Sequence, residues 1–271
     1  KYLREVATAA EAIRINLYPS YTRKNLHVGI LADFLVDARM RAGGLPSNQV
    51  VELGGSNGTL GLIIGSGYGF FQDSLQVGVT VKPLYRMGIT QYDTQTFNDI
   101  LQGINPNGKI VDQIFGSDRP ARKAFGLGVD VGAKYYLPLW TEIKPSFGVT
   151  YQDIANTQFW GSNAPTDIPE SISVGVAIEP TWKIFKNTIA IDYRNITKES
   201  EILNKIHFGM ESVVWNMLAF RVGLSQGYFT GGVGLMTRFF TMDAYVTSQE
   251  AARYAHLQPL RSLGLKLAFG F

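Results

Sequence analysis

The sequence predicts an all-β fold, a transmembrane antiparallel up-and-down β-barrel, on three observations. The first is period-2 alternation, at its strictest where the chain ends. Leu263, Leu265, Leu267, Phe269 and Phe271 are apolar, while Gly264, Lys266, Ala268 and Gly270 are small or polar. Such a strand has one greasy face, and an outer-membrane barrel uses an apolar closing strand to complete its cylinder against lipid. The second observation is recurrence: about thirteen such segments follow one another, each near the roughly 9–11 residues that a tilted strand needs to cross a bilayer. The third is that tight connections alternate with longer ones, as periplasmic turns alternate with extracellular loops.

Taken in order, residues 1–12 (KYLREVATAAEA) are alanine-rich and read as an N-terminal helix or loop, with barrel strands over 13–271 in a single domain. Ile13, Ile15 and Leu17 alternate with Arg14 and Asn16, and a turn follows at Thr22–Asn25. Leu26, Val28, Ile30, Ala32, Phe34 and Val36 then share one face, with His27, Gly29, Asp33, Asp37 and Arg39 on the other. Leu60, Leu62 and Ile64 begin a third strand that turns at Gln72–Ser74, and Leu75, Val77, Val79 and Val81 begin a fourth. The stretch Asp93–Lys123 interrupts the sheet: Asp93 or Thr94 can cap a short helix whose apolar face is Phe97, Ile100, Leu101 and Ile104. This helix is expected in a long extracellular loop, placed to plug the lumen, lie on the membrane or bind a partner. Alternation resumes at Phe125–Tyr135 and continues through Ile143–Asp153, Ile172–Trp182, Thr188–Arg194, Ile206–Val214, Leu218–Ser225, Gly231–Thr237, Phe240–Val246 and the terminal strand. Tight turns are read at Leu139–Trp140, Phe185–Asn187, Trp215–Asn216 and Arg238–Phe239. The first and last visible strands both run downward, so an even, closed barrel needs one further strand and fourteen are expected in the complete protein. With neither an initiator Met nor a secretory signal before Lys1, an upstream segment is expected to have been removed or left out.

Composition narrows the field. The longest nearly apolar run, Leu60–Phe71, is about a dozen residues and broken by glycine, whereas a spanning helix needs about 20. Mean hydropathy is +0.01, as alternation of apolar and polar residues produces. There is no cysteine, and the net charge of +3 is too small to argue for nucleic acid. A soluble β-sandwich or lipocalin-like barrel also alternates, but it turns its charged face outward. Here the apolar faces carry almost no Lys or Glu, the polar faces are glycine-rich with both charge signs, and aromatics gather near strand ends. Trp140, Trp182 and Trp215 are the expected interfacial anchors, with Tyr18, Tyr21, Phe71 and Tyr92 among their companions.

No catalytic, cofactor or metal residues are assigned. His27 and His207 fall on polar strand faces and His256 in a loop, without metal-ligand spacing. Ser212, or an aspartate near His207, is the nearest thing to a catalytic partner. The glycine runs lack the Lys-Ser/Thr of a phosphate loop. The expected lumen holds Arg39, Lys82, Arg86, Lys134, Lys144, Arg194, Arg221 and Lys266 against Asp33, Asp37, Asp130, Glu179, Asp192, Glu211 and Asp243. Eight basic groups nearly cancel seven acidic ones, which reads as a cross-lumen salt-bridge network and a plugged or constricted interior. A selective pore would show a ring of one sign.

The segment F-R-V-G-L-S-Q-G-Y-F-T-G-G-V-G-L (Phe220–Leu235), then M-D-A-Y-V-T-S-Q-E (Met242–Glu250) and L-G-L-K-L-A-F-G-F, resembles the closing strands of FadL-like outer-membrane barrels. The nearest branch is the conjugal-transfer TraF-like or PorV-like one. The likeness is clearest over about the last 90 residues. It implies a fourteen-stranded barrel in the outer membrane of a Gram-negative bacterium, with membrane lipids and the barrel-assembly machinery as partners and homo-oligomerisation open to it. It also implies that Phe269 and Phe271 serve as the assembly signal. Members of the family move hydrophobic molecules or act as structural or secretion-associated components. The N-terminal plug with an Asn-Pro-Ala segment, found in the fatty-acid transporters, has no match, since Asn105-Pro106-Asn107 lies elsewhere. Three functions are thus expected candidates: handling or organising lipid or other hydrophobic molecules, a small porin for polar solutes, or the anchor of a secretion or conjugation apparatus.

Overall fold

The computed structural model describes residues 9–42, 49–88, 93–96, 122–138, 140, 142–161, 164–250 and 259–270. Among them the chain is all-β, with seventeen strand segments and a single 3-10 turn at Ile202–Lys205. The segments are β1 (Ala9–Leu17), β2 (Ser20–Arg23), β3 (Leu26–Ala42), β4 (Gln49–Phe70), β5 (Leu75–Gly88), β6 (Asp93–Thr96), β7 (Arg122–Tyr136), β8 (Ser146–Gln152) and β9 (Phe159–Trp160). They continue as β10 (Ser171–Ile178), β11 (Thr181–Trp182), β12 (Phe185–Tyr193), β13 (Ile206–Val214), β14 (Leu218–Ser225), β15 (Tyr228–Met236), β16 (Phe240–Glu250) and β17 (Pro259–Phe269). Every registered pairing is antiparallel, mostly between strands adjacent in sequence. Four short segments continue a strand after a break: β2 pairs β3 as β1 does, β6 pairs β4, β9 pairs β7 as β8 does, and β11 pairs β12 as β10 does.

Contacts divide the chain into two compact units, with boundaries inside β4, β5 and β7. The first comprises Lys1–Ser66, Thr80–Val129 and Asn156–Pro169. Its β3–β4 register sets Val28 opposite Ile64 and Ile30 opposite Leu62, and all four are exposed, as are Phe125 and Leu127 on β7. On the opposite faces of β5 and β7, Leu84 and Ala124 are buried together with Phe159, with Leu31, Ala164 and Ile168 packed around them. Glycine makes room for this small core: a Cβ on Gly61 would stand 2.5 Å from Leu84 Cδ2, and one on Gly126 would stand 2.8 Å from the Phe159 ring.

The second unit comprises Gly67–Val79, Asp130–Ala155 and Glu170–Phe271. From β8 through β10, β12, β13, β14, β15 and β16 to β17, each strand pairs with the next in a continuous antiparallel ladder. The register keeps the two faces chemically separate. Phe208 opposes Leu224, Met210 opposes Val222, Phe220 opposes Val233, and Met242 opposes Leu267. These residues are all exposed, as are Phe229 at 85% and Leu263 at 83% on the same face. The other face carries His207, Glu211, Arg221 and Asp243, of which Asp243 is only 9% exposed. A water-soluble sheet buries the first kind of face and exposes the second; here the order is inverted.

Several sequence expectations are corrected. Strand β1 begins at Ala9 rather than Ile13, so Ala9–Ala12 of the expected helix or loop are extended, while residues 1–8 lie outside the described ones. Ala9–Ala12 pair with Met40–Asp37, and alanine, which carries no branching to oppose either conformation, follows the partner strand's ladder. Asp93–Thr96 do not cap a helix but pair with Leu53–Val50 as β6. The expected helix Phe97–Ile104 lies outside the described residues, as does Phe271. The third strand is much longer than read, because Gln49–Thr59 continue it despite their glycines. The turn placed at Phe185–Asn187 falls two residues earlier, at Lys183–Ile184, where Trp182 pairs Phe185. Lys144 is not on a strand: β8 starts at Ser146, and Lys144 sits in the preceding turn with φ +41°.

Candidate functional site

The polar face of the second unit is the best-organised chemical feature of the chain. Its centre is Arg221 on β14, opposite Glu211 on β13. Arg221 Nε donates to Glu211 Oε2 at 2.5 Å, and its Nη1 donates to Asp243 Oδ1 at 2.6 Å. Asp243 lies on β16, so the guanidinium spans all of β15 to reach it. Gly234 permits this, because a Cβ there would fall 2.4 Å from Asp243 Oδ1 and 3.0 Å from Arg221 Nη1. Asp243 in turn opposes Lys266 on β17. One row of the face therefore reads Glu211, Arg221, Asp243, Lys266 in alternating sign, and planar two-sided donation by arginine suits its central position.

A second row lies towards the opposite end of these strands. Asp192 opposes His207, and His207 opposes Ser225. His207 Nδ1 shares a 3.0 Å hydrogen bond with the Ser225 hydroxyl, while Arg194 donates through Nε and Nη2 to Asp192 Oδ2 at 3.2 and 2.5 Å. Ser212, an odd number of residues along β13 from His207, lies on the other face of the strand and does not meet it. Arg194 engages Asp192 through Oδ2 alone, and His207 Nε2 is buried with no hydrogen-bond partner among the described residues. Tyr228 donates to Glu250 at 2.7 Å, and the Glu250 amide donates to Gln226 at 2.6 Å. Tyr151 donates to Glu170 at 2.5 Å.

Other residues of the expected charge network also find partners, some of them unforeseen. Lys134 Nζ stands 3.5 Å from Glu179 and 4.3 Å from the centre of the Tyr136 ring. Asp130 accepts from the Asp153 amide at 2.8 Å. In the first unit, Asp33 takes a two-pronged bond from Arg14 at 2.7 and 2.9 Å, and Arg14 was not among the expected network. Arg86 donates to the Thr166 carbonyl at 3.0 Å and lies over the Phe159 ring at 5.6 Å. His27 is bracketed by the hydroxyls of Tyr18 and Thr22 at 2.5 and 2.7 Å. Lys82 is half-buried on β5. For Asp37 and Arg39 the backbone is in β3, opposite Gly54 and Glu52, and their side chains lie outside the described ones.

Below the Glu211–Arg221 row, at the turn end of the second unit, is a cleft of about 570 Å³ lined by Lys144, Glu179, Lys186, Thr188, Glu211 and Asn216, with Val213 and Met236 among its apolar wall. The same end carries five exposed aromatics. Phe71, Trp140, Trp182, Trp215 and Phe239 each sit in or beside a turn and are exposed. Phe71, Trp140 and Trp215 hold φ of +52°, +56° and +52°, a region that bulky side chains rarely enter and that costs about 1–3 kcal/mol. Phe269 on β17 is exposed on the apolar face. Among the described residues no group of three or more His, Cys, Asp or Glu is placed to hold a metal, and no helix is long and apolar enough to cross a membrane. Compared with protein-family models and with curated proteins, the chain matches none.

Proposed function

We propose that this chain is a transmembrane β-barrel of the outer membrane of a Gram-negative bacterium. It is FadL-like in type, with a constricted lumen, and handles or organises lipid or other hydrophobic molecules. The observation that carries this reading is the inverted burial: in each unit Leu, Val, Ile and Phe stand exposed along one face, while buried residues such as Leu84, Ala219 and Asp243 lie on the opposite face. At about 25 cal/mol for each Å² of apolar surface left in water, so broad an exposed face is costly to a protein in aqueous solution and favourable in a bilayer. The antiparallel ladder satisfies backbone hydrogen bonds between strands, as a lipid environment requires. Closing that ladder into a cylinder puts the Arg221 row inside and the apolar face against lipid.

Two further features support the reading. Exposed aromatics at successive turns of one end form an interfacial girdle, and two of them, Trp140 and Trp215, sit at positive φ, where a bulky side chain is strained. The narrow lumen rests on the paired charges: Arg221 bridges three strands, and the segment Asn156–Pro169 of the first unit folds Phe159 and Ile168 over Leu84. The test is solubility. The purified chain is expected to be monodisperse only with detergent and to show no steady conductance in planar bilayers. A monodisperse protein in plain buffer overturns the membrane reading, and a steady open channel overturns the constricted lumen in favour of a porin.

A further inference from the structure

We propose that the turn-end cleft of the second unit binds a small water-soluble oxyanion, a carboxylate or phosphate compound with a short carbon skeleton. The argument begins with charge. Two carboxylates and two ammonium groups line the cleft, but they are not equally available. Glu179 is engaged by Lys134, and Glu211 by Arg221 at 2.5 Å. Lys144 and Lys186 are both exposed, and among the described residues neither forms an ion pair. With the immediate partners included, Lys134, Lys144, Lys186 and Arg221 face Glu179, Glu211 and Asp243, so the cleft has surplus positive charge and two ammonium groups with nothing to bind.

Shape and position point the same way. A volume of about 570 Å³ falls within the range of small-molecule sites. The hydroxyl of Thr188 and the amide of Asn216 add uncharged hydrogen-bonding groups, while Val213 and Met236 give an apolar patch for a few methylenes. Lys186 and Glu211 belong to the polar face of their strands, so a ligand reaches them from water and not from the apolar face. Lys144 sits in its turn at φ +41°, a conformation that asparagine or glycine adopts more readily. The proposal rests on the cleft alone and stands or falls apart from the membrane reading.

The experiment is calorimetric titration of the purified full chain, in detergent and at constant ionic strength, with inorganic phosphate and with glutarate. Saturable binding of at least one of them is expected. The double variant Lys144→Gln/Lys186→Gln should weaken it by about tenfold, as loss of two partly exposed ion pairs implies, and Lys186→Arg should hold it within about threefold. Glu179→Gln should tighten binding, because it removes a competing carboxylate and frees Lys134; a purely structural role for these groups predicts no gain. Both lysines are exposed, so the variants should keep the wild-type circular dichroism. No saturable binding of either anion by the wild type, or unchanged binding by the double variant, overturns the proposal. Binding of short-chain phosphatidylglycerol in place of both soluble anions overturns it as well.

Discussion

Gly234 is the position where one methyl group should do most harm to the polar face. An added Cβ would lie 2.4 Å from Asp243 Oδ1, 3.0 Å from Arg221 Nη1 and 3.3 Å from Ala219 Cβ. The first two atoms end flexible side chains and can move, so the cost is not a lasting clash but the bond between them. Arg221 keeps Glu211 and loses Asp243. A hydrogen bond to a charged group contributes about 1.5–3 kcal/mol. The two side chains are 35% and 12% exposed, so solvent screening moves the figure towards its lower end. Replacing glycine in a strand returns about 0.5–1 kcal/mol of backbone entropy, leaving Gly234→Ala destabilised by about 1 kcal/mol. Gly209 supplies the control, since it lies on the same face of β13 and nothing stands within 4 Å of its Cβ position. Gly209→Ala should be neutral or stabilising. Reversible urea titration in lipid vesicles measures both, and in an Asp243→Ala background the penalty at Gly234 should disappear. If Gly234→Ala is as benign as Gly209→Ala, or its penalty survives removal of Asp243, the bridging role of Gly234 is refuted.

Further outcomes follow from the same geometry. Val222→Arg, on the exposed apolar face between Phe220 and Leu224, should cost about 2–4 kcal/mol in vesicles if it lies near the bilayer midplane, and Gly209→Arg on the polar face should cost less; equal costs contradict the assignment of faces. Trp215→Asn should relieve the strain of φ +52° yet weaken vesicle binding, and stronger binding would count against an interfacial role. Cysteine at Lys198, in the long β12–β13 connection, should react with an impermeant maleimide on whole cells, while cysteine at Lys183, in a tight turn, should not. The reverse pattern inverts the topology.

Much of the ladder was legible because period-2 alternation is a local signal. The strands Ile206–Val214 and Leu218–Ser225 run between the residues where alternation begins and ends, since the left-handed Trp215 and Asn216 interrupt them sharply. Where the controlling partner is distant, the sequence is mute. Ala9–Ala12 have no strand pattern of their own and are drawn into β1 by Ala38–Met40 and Asp37 of β3. Asp93 and Thr94 are good helix caps, but β4 offers them a ladder instead. The charge network was readable as a set and not as pairs: Arg14 was missed because its partner Asp33 lies nineteen residues away, and the Arg221–Asp243 bond depends on the absence of a side chain at Gly234. Arg14 has one available signal, its alternation with Ile13 and Ile15 opposite an acidic strand face.

The central claim is that the exposed apolar face meets lipid, and fluorescence quenching in vesicles tests it most directly. The chain has four tryptophans, and Trp140, Trp160, Trp182 and Trp215 are all exposed. Lipid carrying a doxyl group high on its acyl chain should quench their emission strongly, and lipid carrying it near the chain end should quench less, as interfacial placement requires. Emission unaffected by either lipid, from protein mixed with the same vesicles and still folded by circular dichroism, would contradict the account.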